Sequence, residues 1–138
     1  MLQAVDEDTN AFNKIMAAFG LPKTNDAEKA ARKQAIQEAT KYAIEVPFRV
    51  MEWAFESMDI IHYMAEHGNP NSVSDAGVGA LCARTAVMGA FMNVRINAAG
   101  YDDKSFVEEV LKKGEQIQQS AIQKEQEIIQ LVNVKIGI

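Results

Sequence analysis

Helical periodicity, punctuated by proline, constrains this chain more than any other feature. Apolar residues recur at three- and four-residue intervals almost throughout the 138 residues, and no segment reads convincingly as a strand. Pro22, Pro47 and Pro70 punctuate that period. Proline lacks a backbone donor and crowds the preceding turn, so each marks a joint rather than a linker. The expected fold is all-α: one domain, an up-and-down array of long helices.

The first helix is expected from about Leu2 to Phe19. Val5, Phe12, Ile15, Met16 and Phe19 share one face, which reads as its core stripe. Gly20 suits its end and Pro22 blocks continuation. No Ser, Thr, Asp or Asn precedes the period, so the chain reads as starting inside a helix. The second helix is expected from Asn25, with Glu28 at capping-box spacing, to about Glu45. A kink is expected at Pro47, with helix resuming to Glu66. Phe48, Met51, Phe55, Met58 and Ile61 form a broad apolar arc there, which suggests a central helix.

The third helix is expected from Ser74-Asp75 to about Asn97. Gly79, Cys82, Ala83, Ala86 and Ala90 share a face nearly free of side chains, and Asn93 and Asn97 continue that line. Such a face lets a partner helix or a ligand come close. The last helix is expected from Asp103 to about Val134. Its seam of Val110, Gly114, Ile117, Ala121, Lys124, Ile128 and Leu131 suits packing within the bundle or against a second subunit.

Composition excludes several function classes. Net charge is −5, with basic residues scattered, which argues against nucleic-acid binding. No apolar run reads as long enough to span a bilayer, and no signal peptide is visible. A single cysteine, Cys82, fits a cytoplasmic protein. With only His62 and His67 beside it, no metal constellation can be drawn.

Among residues that could carry chemistry, Asp8 stands out. It lies on the same face as Phe12 and Ile15, where desolvation would favour its protonated form and suit it to donate a proton. Pairing with a base at a helix contact is the plainer reading. Ser72, Ser74 and Asp75 lie at a helix start, where capping explains them equally well. Asn93 and Asn97, one turn apart, suit either a tie to a neighbouring backbone or recognition of a heterocycle edge. Cys82 reads as structural, and the methionines and the Trp53 ring read as core. Lys41, Arg49 and Arg84 are candidates for an anionic tail, although surface pairing explains them more simply.

Several motifs occur together in order: Asp6-Glu7-Asp8-Thr9-Asn10-Ala11-Phe12, Phe19-Gly20-Leu21-Pro22-Lys23, Glu45-Val46-Pro47, Gly68 to Asp75, and Asn93-Val94-Arg95-Ile96-Asn97. In these the chain resembles the cyclodeaminase/cyclohydrolase family of folate one-carbon enzymes, the C-terminal half of formiminotransferase-cyclodeaminase. The family's opening Gly-rich segment does not occur here, so a domain lacking its N-terminal helices is expected. The resemblance implies a formiminotetrahydrofolate cyclodeaminase. There N10 attacks the formimino carbon, ammonia leaves and 5,10-methenyltetrahydrofolate forms. It implies Asp8 as proton donor, and a folate pocket lined by Asn69, Ser72, Ser74, Asp75, Asn93 and Asn97. Tetrahydrofolate would be the carrier substrate, with no metal. A homodimer or larger homo-oligomer is expected, with a formiminotransferase fused or separate. Methenyltetrahydrofolate cyclohydrolase is the alternative activity, and a non-catalytic helical dimerisation module the alternative class.

Overall fold

The computed structural model describes residues 2–137, with Leu2 described by its backbone alone. Four helices follow one another: α1 (Leu2–Phe19), α2 (Asp26–His67), α3 (Val73–Ala98) and α4 (Lys104–Ile136). A 3-10 turn at Pro70–Ser72 leads into α3. The described residues contain no strand. The all-α array is thus as the periodicity indicates.

Local chemistry sets the boundaries. The Asn25 side chain accepts from the Glu28 amide at 2.9 Å. Glu28 reaches back to the Thr24 amide at 2.8 Å and the Thr24 hydroxyl at 2.6 Å, so the reciprocal half of the box falls one residue earlier. Those bonds hold the Glu28 carboxyl below its usual range. Asp103 caps α4 through the Phe106 amide at 3.1 Å. Asn69 caps the 3-10 turn through the Asn71 amide at 3.0 Å. Ser72 precedes α3 but makes no capping hydrogen bond.

α2 is the central element and packs against the other three helices. It runs unbroken through Pro47, so the expected division near that residue is not a helix boundary. Ile44, Met51 and Met58 of α2 are fully buried among Ala83, Val87, Phe91 and Val94 of α3 and Val110 and Ala121 of α4. Each of the large three contributes about 1.5–3 kcal/mol. The α4 seam turns inward: Val110, Gly114, Ala121 and Ile128 are buried. Gly114 is required, because a Cβ there would overlap the Phe91 ring. Lys124 lies in this contact as well, paired with Asp59.

α1 contradicts its expected orientation. Its buried positions are Ala4, Ala11 and Ala18, while Val5 is 66% and Phe12 62% exposed, and Met16 and Phe19 also face outward. Small residues let α1 lie close on Ala43 and Val46 of α2, and only Ile15 of the expected stripe packs there. α3 differs too. Ala83 and Ala90 of its small-residue face are buried, but Ala86 and Cys82 are exposed. Trp53 is 38% exposed and Met16, Met64 and Met92 are exposed, so these are not core.

The segment Pro70–Ala98 is, contrary to expectation, long and apolar enough by composition to cross a membrane. Its inner face, with Gly77, Ala80, Val87 and Val94, is buried against the bundle. Its outer face leaves Val78, Leu81, Met92 and Ile96 exposed.

Candidate functional site

The site begins at Pro47. A proline inside a helix cannot donate to the carbonyl four residues earlier, here that of Ala43. Ala43 is buried, so its carbonyl needs another donor. The Asn97 side-chain amide supplies it from α3, Nδ2 to Ala43 O at 2.8 Å. One of the two sequence readings of this carboxamide, a tie to a neighbouring backbone, is therefore realised.

The same arrangement brings the candidate acid close. A cavity of about 140 Å³ is lined by Asp8, Phe12 and Ile15 of α1, Ala43 of α2, and Asn93 and Asn97 of α3. A second, of about 500 Å³, shares Asp8 and Asn93 and adds Thr9, Pro47, Val50, Ala86 and Ala90. Ala86 and Ala90, with no side chain beyond Cβ, leave this space open beside the bundle. A salt bridge from Arg49 of α2 to Glu7 of α1, 2.6 Å, fixes α1 beside both spaces.

Among the described residues Asp8 is the one titratable side chain lining either cavity. It is exposed, which overturns the expectation that apolar neighbours shield it from water. The reason is the turn of α1 described above: the large apolar stripe that was to cover it faces outward as well. Asn93 is exposed and Asn97 half-buried. Asp8, Asn93 and Asn97 thus meet in one place.

The other candidate residues do not join them. Asn69, Ser72, Ser74 and Asp75 are exposed at the opposite end of α3. Eighteen residues of helix separate Asp75 from Asn93, about 27 Å at 1.5 Å per residue. Lys41, Arg49 and Arg84 are each beside an acid, Glu45, Glu7 and Glu125 respectively. A different basic group lines a cavity of about 250 Å³ at the α1–α2 turn, formed by Lys23, Lys29, Arg32, Lys33 and Ile36. Asp102, 2.9 Å from Lys33, raises that ammonium above its usual range by hydrogen bond and charge. The spacing of Lys29, Arg32, Lys33 and Ile36 on one helix face was the signal in the sequence that could have found this group. Among the described residues no cluster of three or more His, Cys, Asp or Glu could hold a metal ion.

Residues 1–116 match the family described as formiminotransferase-cyclodeaminase. The chain is 42% identical to methenyltetrahydrofolate cyclohydrolase of Methylorubrum extorquens over 96% of its own length and 64% of that protein. It is 36% identical to formimidoyltransferase-cyclodeaminase of Gallus gallus over 77% of its length and 20% of that protein. It therefore spans less than two thirds of either relative. Its fold matches the crystal structure of formiminotetrahydrofolate cyclodeaminase from Thermotoga maritima, with a TM-score of 0.81 and 24% identity, over 97% of this chain and 63% of that one. With a family match across most of its residues, this chain belongs to the formiminotransferase-cyclodeaminase family of folate one-carbon enzymes.

Proposed function

We propose that this chain acts on the one-carbon unit bridging N5 and N10 of tetrahydrofolate, as a methenyltetrahydrofolate cyclohydrolase. The observation that carries the reading is a single carboxyl, Asp8, set in a cavity with two carboxamides, Asn93 and Asn97. The 42% identity to the Methylorubrum protein of that activity, over nearly the whole chain, supports it. In this reaction water adds to the methenyl carbon, a tetrahedral adduct forms, and one C–N bond breaks as a formyl group appears. The departing nitrogen needs a proton. Asp8 takes one from the attacking water and returns it to that nitrogen, while the adduct's remaining hydroxyl proton leaves to solvent as the formyl C=O forms, so one side chain serves as base and then acid. The carboxamides orient the pterin. In the basic group at the α1–α2 turn Lys29 and Lys33 are paired with Asp26 and Asp102, so Lys23 and Arg32 are the members that suit an anionic glutamate tail.

A second reading, formiminotetrahydrofolate cyclodeaminase, is favoured by the family match and by the Gallus relative. It uses the same carbon and the same proton delivery, with ammonia as the leaving group and the ring closing. Each substrate can be supplied in turn while the methenyl chromophore is followed. The cyclohydrolase reading expects the chromophore to disappear with methenyltetrahydrofolate. Its appearance from 5-formiminotetrahydrofolate, without such loss, would establish the deaminase instead.

The reading includes a second copy of the chain. Val5, Phe12 and Met16 of α1 and Val78, Leu81, Met92 and Ile96 of α3 are exposed apolar residues. That much exposed apolar surface suits self-association. A partner running antiparallel would carry its own Asn69–Asp75 segment toward Asp8. Sedimentation tests this, and a monomer at working concentration contradicts it.

A further inference from the structure

We infer that Pro47 is a positioning residue: by withholding a backbone N–H it locks the Asn97 carboxamide, so that the cavity beside Asp8 is offered the oxygen of Asn97. The inference deepens, and for its ligand rests on, the folate reading above.

A carboxamide has two unlike ends, and in most sites it can turn over to suit a ligand. Asn97 has lost that freedom. The atom it meets at 2.8 Å is the Ala43 carbonyl oxygen, which can only accept. The NH₂ end must therefore face α2, whatever lies on the other side. Turning the amide over would set two oxygens against each other and leave a buried carbonyl unpaired. That carbonyl is vacant only because residue 47 is proline. Any other residue there would donate its own N–H and release the side chain.

The consequence is chemical. Asn97 lines the small cavity with one N–H already engaged, so Oδ1 is its free acceptor. Asn93, one turn earlier and exposed, has no such fixed hydrogen-bond partner and can present either end. The cavity thus combines one fixed acceptor with one adaptable carboxamide. A fixed acceptor selects a ligand edge that carries N–H donors. The amino-oxo pyrimidine ring of a reduced pterin has such an edge, with a ring N–H beside an exocyclic amine.

The test uses Pro47→Ala, Asn97→Asp and their combination, with tetrahydrofolate as the probe. Pro47→Ala gives Ala43 its helical donor and frees the amide to rotate. Its folate Kd is expected to rise about tenfold, the value of one well-placed hydrogen bond. KM should rise with it while kcat changes little. Asp in place of Asn97 is an acceptor that cannot turn its nitrogen outward. In the alanine background it is expected to restore Kd to within about threefold, because it need no longer serve Ala43. Asn97→Asp alone should lower the melting temperature. A Pro47→Ala protein that binds as tightly as the parent, or a double variant no better than it, overturns the inference. A second readout needs no folate. The Asn97 side-chain N–H is expected to exchange with solvent at least about tenfold more slowly in the parent than in Pro47→Ala, as a hydrogen-bonded proton should. Equal exchange contradicts the lock. Slow exchange in a protein that binds no folate would instead keep the lock and reject the proposed substrate.

Discussion

The two ends of α3 carry motif residues of similar standing in the sequence, yet the chain treats them differently. At the C-terminal end Asn93 and Asn97 face two other helices, share a cavity with Asp8, and one of them is tied to α2. At the N-terminal end Asn69, Ser72, Ser74 and Asp75 are exposed, and Asn69 makes only local bonds, accepting from the Asn71 amide through its side chain and from the Ser72 amide through its carbonyl. The difference teaches that residues of one set of family motifs can be drawn into a shared cavity at one end of a helix and left exposed at the other.

The largest effect is expected from Phe12→Glu. It puts a charge on the exposed α1 stripe beside Asp8 without touching the buried alanine face. Self-association should weaken by about 2 kcal/mol or more, the scale of an aromatic anchor in an interface. Sedimentation equilibrium measures it. An unchanged assembly would mean that the stripe is not covered by a second copy, and the contrast between the ends would then need another cause. Next comes Asn97→Ala, which strips the donor from the buried Ala43 carbonyl. Unfolding free energy should fall by about 1–3 kcal/mol in a denaturant titration. A neutral result would remove the tie that distinguishes the C-terminal end. The smallest effect belongs to the other end. Ser74→Ala and Asp75→Asn should change stability by no more than about 0.5 kcal/mol, as for exposed positions without partners. If either nonetheless lowers turnover severalfold in the assembled protein, that end completes the site across two chains. If neither does, the cavity at Asp8 is sufficient by itself.

Much of this molecule is legible in the sequence. Helix existence and order follow from the apolar period, and the limits of α1 and α2 from Gly20, Asn25 with Glu28, and Gly68. The wide arc of Met51 and Met58 marks α2 as central, and it is. The orientation of α1 is not legible in the same way. Periodicity identifies the stripe of Val5, Phe12 and Met16 but not what covers it, and the chain buries the alanines Ala4, Ala11 and Ala18 instead. A stripe that its own chain leaves exposed reads in the sequence like one that serves a core. The exposure of Asp8 follows from the same ambiguity. Pro47 reads as a kink in a helix that resumes beyond it, because proline removes a hydrogen bond. The remedy comes from Asn97, 54 residues away, and only the packing of α3 on α2 reveals it. Gly114 likewise looks like a weak point in the α4 seam until the Phe91 ring is seen to occupy its space.

The central claim is that the Asp8 carboxyl moves the proton while the rest of the cavity holds the folate. Asp8→Asn keeps the size and polarity of the side chain and removes its acid–base chemistry. Turnover of methenyltetrahydrofolate and tetrahydrofolate binding are to be measured on this one variant. The account expects kcat to fall by about 10²–10⁴-fold, the usual contribution of a positioned acid–base group, with Kd changed less than about threefold. A variant that turns over like the parent, or one whose loss of turnover merely tracks a loss of binding, would contradict it.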